Sequence, residues 1–204
     1  AGRFHVHTPD FPPLGAAGVT DFCIPAAQAF GTGQHATTAG CLEMLSAMKA
    51  SGVRVRDIAD IGTGTGLLAF AAMQLWPRAR AVASDIDPVC GPAVAENCAR
   101  NGVPQGYGRG RLSMRIATGM EDELLQAAAP YDLLIANILA APLIQLAPDF
   151  SAVVSPGGQV LLAGLLEVQE AEVRRAYARA GFRLRRRLVS GDWSILWLAK
   201  RHFA

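Results

Sequence analysis

The stretch Asp60–Gly66, with the sequence D-I-G-T-G-T-G, separates an apolar run with strand composition from an apolar run with helical composition. Glycines at alternate positions let the backbone turn sharply and let a ligand lie against the main chain. A dinucleotide-binding loop follows the pattern G-x-G-x-x-G, which would place its last glycine at position 67. That position holds Leu67. The loop therefore predicts a cofactor site that does not take a dinucleotide, and a plain glycine-rich turn is the alternative.

Strand and helix patterns alternate from residue 53 onward. The predicted strands cover 55–61, 81–84, 112–117, 131–136, 159–163, 182–189 and 193–199. The predicted helices cover 67–76, 88–101, 140–153 and 167–180, and a turn is predicted at 156–158. Such alternation is typical of a mostly parallel sheet with helices on both faces. The segment Ser190–Asp192 is too short for a crossover helix, so one of the last two strands must run antiparallel.

The sequence thus predicts an α/β fold with a doubly wound, mostly parallel, seven-stranded sheet and an antiparallel C-terminal hairpin strand. This arrangement resembles the Rossmann-like fold of class I methyltransferases, which depend on S-adenosylmethionine. The G-x-G-x-G spacing is similar to the loop that receives the methionine part of that cofactor.

Composition narrows the function classes. The chain has 204 residues, of which 51% are hydrophobic and 18% charged, enough for one domain with a sizeable core. The net charge of +2 is too small to indicate DNA binding through bulk electrostatics. No apolar run approaches the roughly 20 residues of a membrane span. We therefore expect a cytoplasmic monomer with no membrane association.

Cysteine and histidine spacing gives no metal motif. None of the four cysteines forms a C-x-x-C pair, and burial as small apolar side chains in a reducing cytosol is the simplest interpretation. His5 and His7 share one face of a short predicted strand, which alone is weak evidence for a metal. We predict no metal site.

Two carboxylates follow predicted strands. Asp60 can accept hydrogen bonds from loop amides or from the ammonium group of a cofactor. Asp85 lies about twenty residues after the glycine loop, where a carboxylate can accept the hydroxyl protons of a ribose. NAD enzymes use the same device, so Asp85 indicates a nucleoside and not a particular cofactor. Asp87 precedes Pro88 and is predicted to cap a helix.

Asn137 follows the fourth strand of the predicted sheet. Ligands of open α/β sheets bind outside the carboxyl ends of the strands. The side-chain oxygen of Asn137 and the carbonyl of Ile138 can accept hydrogen bonds from an amine and hold its lone pair in line with a transferable methyl group. An asparagine that merely ends a strand is the alternative.

The segment Ala29–Thr38, with the sequence A-F-G-T-G-Q-H-A-T-T, places two glycines before a predicted helix with two threonines in its first turn. Such a loop can fold over a bound ligand while Phe30 shields it from water. A capped helix start explains the same residues without a ligand.

Together these segments resemble the PrmA family of ribosomal protein methyltransferases, in its alphaproteobacterial form. The matching stretches are Ala29–Thr38, Asp60–Gly66, 85–87 and 137–140. The predicted catalytic residues are Asn137, Ile138 and Phe30. The predicted contacts to S-adenosylmethionine come from Thr38, Asp60, Gly62, Thr63, Gly64, Gly66, Asp85, Ile86 and Asn137, and from Gly31, Thr32 and Gly33 in the loop.

The resemblance implies a protein N-methyltransferase that trimethylates lysine and N-terminal amines of ribosomal protein L11, its substrate partner. It also implies a division into a linker with an N-terminal strand (1–20) and a catalytic domain (21–204). The substrate-gripping domain that precedes them in the family is expected to be absent from this chain. The alternatives are a methyltransferase for another protein lysine or a small-molecule amine, and a non-catalytic module that binds S-adenosylmethionine.

Arginines crowd one predicted strand, at Arg183, Arg185, Arg186 and Arg187. A solvated strand face is the simpler interpretation. A weak ribosome contact through ribosomal RNA is the alternative.

Overall fold

A computed structural model of the chain describes residues 1–25 and 34–202. The strands are β1 (Phe4–His7), β2 (Thr20–Cys23), β3 (Asp57–Ile61), β4 (Arg80–Asp85), β5 (Leu112–Ile116), β6 (Tyr131–Asn137), β7 (Val154–Leu166), β8 (Phe182–Ser190) and β9 (Trp193–Lys200). The helices are α1 (Gln34–Ala50), α2 (Leu67–Leu75), α3 (Cys90–Arg100), α4 (Glu123–Ala127), α5 (Ala140–Val153) and α6 (Glu167–Arg179).

The central sheet has seven strands in the order β5-β4-β3-β6-β7-β9-β8. The first five run parallel, and β9 runs antiparallel to both β7 and β8. The predicted parallel sheet with an antiparallel C-terminal hairpin is therefore confirmed. The chain winds outward from β3 to β5 and then returns to β6 on the other side of β3. This reversal creates a crevice at the carboxyl ends of β3 and β6, where ligands of such sheets bind.

Helices cover both faces of the sheet. Alternate residues of a strand point to opposite faces, so Ile135 of β6 packs toward α1, α2 and α3 while Leu134 packs toward α4, α5 and α6. Helix α2 is buried along almost its whole length. Each fully buried Leu or Phe contributes about 1.5–3 kcal/mol. The rigid layer that results holds the loop between β3 and α2 against the sheet.

The first two strands form a separate parallel pair. Phe4 and Phe22 are buried and stack with ring centroids 5.7 Å apart, and Phe22 also contacts Phe70 of α2 at 6.3 Å. These aromatic contacts tie β1 and β2 to the layer of helices beside the crevice. The sequence did not predict β2, since it is short and its partner is β1.

Strand β7 differs most from the sequence prediction. The prediction of a turn at 156–158 is wrong, because these residues lie within β7. The pairing with β6 shifts there: Val154 pairs with Tyr131, but Gln159 already pairs with Leu133. Gly157, with φ +77°, lies in this irregular stretch. The Pro-Gly-Gly sequence therefore produces an irregularity inside a long strand and not a break between elements.

Within the described ranges, every helix is too short or too polar to cross a membrane.

Candidate functional site

A cavity of about 520 Å³ lies at the crevice predicted by the sheet order. Its wall includes Gly62 and Thr63 from the loop after β3, Thr38 from α1 and Asn137 from the end of β6. All four were predicted to contact a ligand. Apolar side chains of α2 and polar groups of β1 complete the wall. The cavity thus combines an apolar lining with a few polar groups, as cofactor sites do.

The loop after β3 needs its glycines for two reasons. Gly62, Gly64 and Gly66 have φ of +71°, +57° and +86°, a region that other residues adopt only with strain. A Cβ at Gly62 would also overlap the Ile138 side chain. The amides of Gly62 and Thr63 donate to the Ser84 carbonyl at 2.8 and 2.9 Å, which fixes the loop to β4.

Asp60 lies beneath this loop, with 1% of its surface exposed. One carboxylate oxygen, Oδ2, accepts hydrogen bonds from Thr63 Oγ1 at 2.7 Å and from the Ala69 amide at 3.1 Å. Burial raises the pKa of Asp60 to about 6, against the effect of these hydrogen bonds and with a smaller contribution from the charge of Asp85. The carboxylate therefore joins the loop to the start of α2. Its predicted contact with a cofactor stays a prediction.

Asp85, at the end of β4, connects the same loop to its neighbour. Its Oδ2 accepts from the Gly64 amide at 2.8 Å and its Oδ1 from the Asp87 amide at 3.0 Å. Each carboxylate oxygen can accept a further hydrogen bond, so the group can still receive a ribose hydroxyl. Ile86 beside it is 67% exposed, a costly position for an apolar side chain unless something covers it.

Asp87 does not cap α3 as predicted. The helix begins at Cys90 with Val89 at the N-cap position. Asp87 Oδ1 instead accepts from the Val89 amide at 3.0 Å, which closes a turn before the helix.

Asn137 and Ile138 are held at the end of β6. Asn137 is half-buried and pairs with Ala163 of β7. The backbone of Ile138 packs against Gly164, which has φ +83°, and a Cβ at Gly164 would overlap the Ile138 carbonyl. Its side chain meets Gly62 on the other side. Two glycines with positive φ thus fix the position of Ile138. The roles of Asn137 and Ile138 toward an amine stay predictions.

The predicted closing loop lies outside the described residues. Phe30, Gly31, Thr32 and Gly33 all fall in this part of the chain. Thr38 follows it in α1 and lines the cavity.

Sequence reasoning missed the contribution of β1. His5 and His7 both line the cavity, and their rings stack with centroids 5.6 Å apart. His5 Nδ1 lies 2.7 Å from Asp21 Oδ1, and His7 Nδ1 lies 3.0 Å from the Thr8 carbonyl oxygen. Their alternate spacing in the sequence predicted a shared face, but only the packing of β1 shows that this face meets the cavity.

Comparisons with known proteins agree with this architecture. The family model of the ribosomal protein L11 methyltransferases (PrmA) matches residues 23–201. A ribosomal protein L11 methyltransferase of Sinorhizobium fredii is 41% identical over 200 residues, which cover 98% of this chain and 66% of that protein. Another from Rhizobium etli is 42% identical over 193 residues, covering 95% of this chain and 64% of that protein. The chain therefore spans about two thirds of the length of these curated relatives.

Solved structures give the same result. The crystal structure of a ribosomal protein L11 methylase from Lactobacillus delbrueckii subsp. bulgaricus has a TM-score of 0.80 and 27% identity, and the match covers 99% of this chain and 97% of that one. A precorrin-6y C5,15-methyltransferase from Geobacter metallireducens shares the fold, with a TM-score of 0.63 and 15% identity over 88% of this chain and 95% of that one. The fold is that of the class I S-adenosylmethionine-dependent methyltransferases, and the chain belongs to the PrmA family of ribosomal protein L11 methyltransferases.

Proposed function

We propose that this chain is an S-adenosylmethionine-dependent N-methyltransferase that acts on lysine and N-terminal amines of ribosomal protein L11. The observation that carries the proposal is that Gly62, Thr63, Thr38 and Asn137 line one cavity at the carboxyl end of the sheet. The residues expected to bind the cofactor and to position the amine thus share one cavity. Family membership supplies the substrate class.

The loop after β3 fits the methionine part of the cofactor. Its positive-φ glycines allow the sharp turn that brings Gly62 and Thr63 to the wall of the cavity. Hydrogen bonds to Asp60 and to the Ser84 carbonyl hold the loop in this shape. When bound, S-adenosylmethionine supplies an electrophilic methyl group on a sulfonium. The loop would therefore receive the cofactor with little rearrangement.

The nucleoside part would lie over the end of β4. There Asp85 would accept hydrogen bonds from the ribose hydroxyls, and the exposed side chain of Ile86 would cover one face of the adenine. Leu67 is 7% exposed and opens α2, so it takes the place of the last glycine of a dinucleotide loop. This substitution disfavours NAD as the cofactor.

Asn137 and the Ile138 carbonyl would orient the acceptor amine. A lysine amine has a reference pKa of about 10.4, so freeing its lone pair near pH 7 costs roughly 4 kcal/mol. Desolvation beside a cationic sulfonium lowers that pKa and offsets part of the cost. Alignment of the lone pair with the methyl group supplies much of the remaining rate enhancement. Phe30 and the glycines of its loop would close the site over both ligands.

The substitution Asn137→Ala tests the positioning role. We expect methyl transfer to unmethylated L11 to fall about 10²-fold, because the amine loses a partner that holds its orientation. Calorimetry measures the affinity for S-adenosylhomocysteine and so separates this loss from weaker cofactor binding. We expect that affinity to change far less than the rate of methyl transfer. Near-normal turnover of the variant would exclude Asn137 from this role.

The function itself is tested by ligand-dependent stability and by methyl transfer. A ligand at 100 times its dissociation constant stabilises the folded state by about 2.7 kcal/mol. We expect thermal shifts with S-adenosylmethionine and S-adenosylhomocysteine but not with NAD, and transfer of a radiolabelled methyl group to ribosomes that lack the modification. No shift with either sulfur compound would refute the proposal.

The alternatives give different results in the same assays. A shift with the sulfur compounds but no transfer to any amine would indicate a non-catalytic binding module. Transfer to other amines but not to L11 would indicate a methyltransferase for another protein lysine or a small molecule.

We further propose a weak ribosome contact through β8, one of the two edge strands of the seven-stranded sheet. Arg183, Arg185 and Arg186 are exposed there, whereas Arg187 forms ion pairs with Glu167 and Glu170 and is not available. Exposed guanidinium groups are the usual partners of RNA phosphates. We also propose that residues 21–204 form the catalytic unit and that residues 1–20 lead into it. We expect the protein to be a cytoplasmic monomer that does not bind DNA.

A further inference from the structure

A histidine–carboxylate pair forms part of the cavity wall. In the parallel register of β1 and β2, His5 lies directly opposite Asp21. Their side chains meet with His5 Nδ1 2.7 Å from Asp21 Oδ1, and His5 lines the cavity that also contains Asn137. The side chain of His5 is 35% exposed. It thus has access both to the cavity and to solvent.

Asp21 is fixed in its ionised form. The amide of Leu14 donates to Oδ1 at 2.8 Å and that of Gly15 to Oδ2 at 3.1 Å. Above all the hydrogen bond from Leu14, together with those from His5 and Gly15, lowers the pKa of Asp21 despite some desolvation. An ionised carboxylate only accepts hydrogen bonds, so His5 Nδ1 must donate. In the neutral imidazole the proton then sits on Nδ1, and Nε2 carries a free lone pair.

The ring of His7, which stacks on that of His5, has the same tautomer. Its Nδ1 lies 3.0 Å from the carbonyl oxygen of Thr8, and a carbonyl also only accepts. The two rings stack at an interplanar angle of 15°. Among the contacts of the described residues, the Nδ1 of His7 has no carboxylate partner. Of the two rings, it is therefore His5 that has a carboxylate beside it to balance the charge of an imidazolium.

We propose that His5, oriented and charge-balanced by Asp21, is the general base that deprotonates the acceptor amine. The proposal rests on the proposed function. The ammonium group gives one proton to His5 Nε2, which becomes an imidazolium beside the Asp21 carboxylate. The freed lone pair attacks the methyl carbon, a C–N bond forms, and the electrons of the C–S bond return to sulfur. The products are the methylated ammonium and neutral S-adenosylhomocysteine, and His5 releases its proton to solvent.

Few other groups near His5 can titrate. Of the cavity-lining residues in the described ranges, His7 has the one other side chain that can titrate. From β2 only Asp21 reaches the His5 ring among the contacts of the described chain. The pH dependence of proton removal should therefore report mainly on His5.

The pH dependence of methyl transfer tests this role. With unmethylated L11 as substrate, we expect His5→Gln to lower kcat/KM about 10²-fold at pH 7. The deficit should shrink steadily toward pH 10, because a growing share of the amine is deprotonated without help. A role limited to shaping the wall would lower the rate by the same factor at every pH. The control His202→Gln removes an exposed imidazole at the opposite end of the sheet and should retain the profile of the unaltered chain.

A second measurement does not depend on activity. The ¹⁵N chemical shifts of the imidazole rings should show neutral His5 with its proton on Nδ1, and Asp21→Asn should weaken that preference. Neutral His5 with its proton on Nε2 would overturn the proposal. The proposal would also be overturned if the His5→Gln variant had the rate of the unaltered chain at every pH. In that case the proposed methyltransferase function would still stand. Absence of a thermal shift with both S-adenosylmethionine and S-adenosylhomocysteine would refute the proposed function and this proposal together.

Discussion

Asp60 stabilises the glycine loop through its hydrogen bonds, but burying its ionised carboxylate costs free energy. Because burial raises its pKa to about 6, the folded protein holds the proton more tightly than the unfolded chain, whose aspartates have a pKa near 3.8. Its contribution to stability is therefore greatest below about pH 4 and is lost as the pH rises through about 6. The loss amounts to roughly 3 kcal/mol at neutral pH.

The substitution Asp60→Asn should remove this pH dependence. Both donors, Thr63 Oγ1 and the Ala69 amide, bind the same oxygen, so an amide carbonyl in that position can accept both hydrogen bonds. We expect urea unfolding at pH 7 to show the variant up to about 3 kcal/mol more stable than the unaltered chain. At pH 4 the two should be nearly equal. This account is wrong if the stability that the variant gains over the unaltered chain is smaller at pH 7 than at pH 4.

Gly164 provides a second test at the scale of one residue. Its φ of +83° and its contact with the Ile138 carbonyl make two separate demands for glycine. Gly18 has a similar φ of +78° but open space around a Cβ, so Gly18→Ala isolates the backbone cost, about 1 kcal/mol. Gly164→Ala should lose a further 1–3 kcal/mol, roughly, through overpacking, and should displace the Ile138 carbonyl.

These effects can be separated by two readouts. Urea unfolding measures the stability of both variants, and methyl transfer measures the position of Ile138. We expect activity to fall in Gly164→Ala and to persist in Gly18→Ala. Equal unfolding free energies for the two variants would show that the backbone of Ile138 yields to the added methyl group.

At the scale of elements, Glu170 connects α6 to the two C-terminal strands. It is 5% exposed and accepts hydrogen bonds from Ser194 Oγ at 2.7 Å, Arg187 Nε at 2.6 Å and Arg174 at 3.2 Å. Burial alone would raise the pKa of Glu170, but the hydrogen bonds from Ser194 and Arg187 outweigh it and lower the pKa. Its contribution is therefore present above the ordinary glutamate pKa of 4.5 and is lost as the pH falls through the lowered value.

The substitution Glu170→Gln should destabilise the chain by about 1–3 kcal/mol at pH 7, because the buried Ser194 hydroxyl and the two arginines lose a charged acceptor. Glu172→Gln changes an exposed residue of the same helix and should alter stability by less than about 0.5 kcal/mol. Chemical unfolding at pH 7 and pH 4 measures both. The deficit of Glu170→Gln should shrink at the lower pH, and a deficit that grows there would argue against the ionised role.

Element boundaries show where sequence patterns fail. Helices α2, α5 and α6 and the C-terminal hairpin could be predicted, because their apolar periodicity and their flanking turn residues are local. The irregular start of β7 could not, because it depends on a register shift against β6 that local sequence does not encode. The Pro-Gly-Gly sequence has the composition of a turn, but its neighbours are already paired in the sheet.

At the scale of the whole molecule, the same difference between local patterns and long-range pairing decides which parts of the candidate site could be predicted. Gly62, Thr63 and Asn137 could be placed together from the sequence, because the carboxyl ends of parallel strands share one edge of the sheet. Thr38 lies in α1, and its place at the site was implied by the family resemblance. The His5–Asp21 pair could not, since it depends on the parallel pairing of two short strands and on aromatic packing that brings them to the cavity.

The distribution of charge over the whole molecule leads to the last prediction. A net charge of +2 gives little general attraction to RNA, so any ribosome contact must come from a local cluster such as Arg183, Arg185 and Arg186 on β8. Charges on an edge strand also prevent pairing with other sheets, and this role needs no RNA. The two roles differ in their dependence on salt, because phosphate contacts release counterions.

Replacing all three arginines with Gln should reduce the slope of log affinity against log salt by about 3 for binding to purified large ribosomal subunits. The matched control replaces Arg54, Arg78 and Arg175, which are exposed away from β8 and carry the same total charge. Filter binding across a salt series compares the two triple variants. Equal slopes would show that β8 makes no specific phosphate contact, and increased self-association of the β8 variant alone would assign its arginines to edge protection.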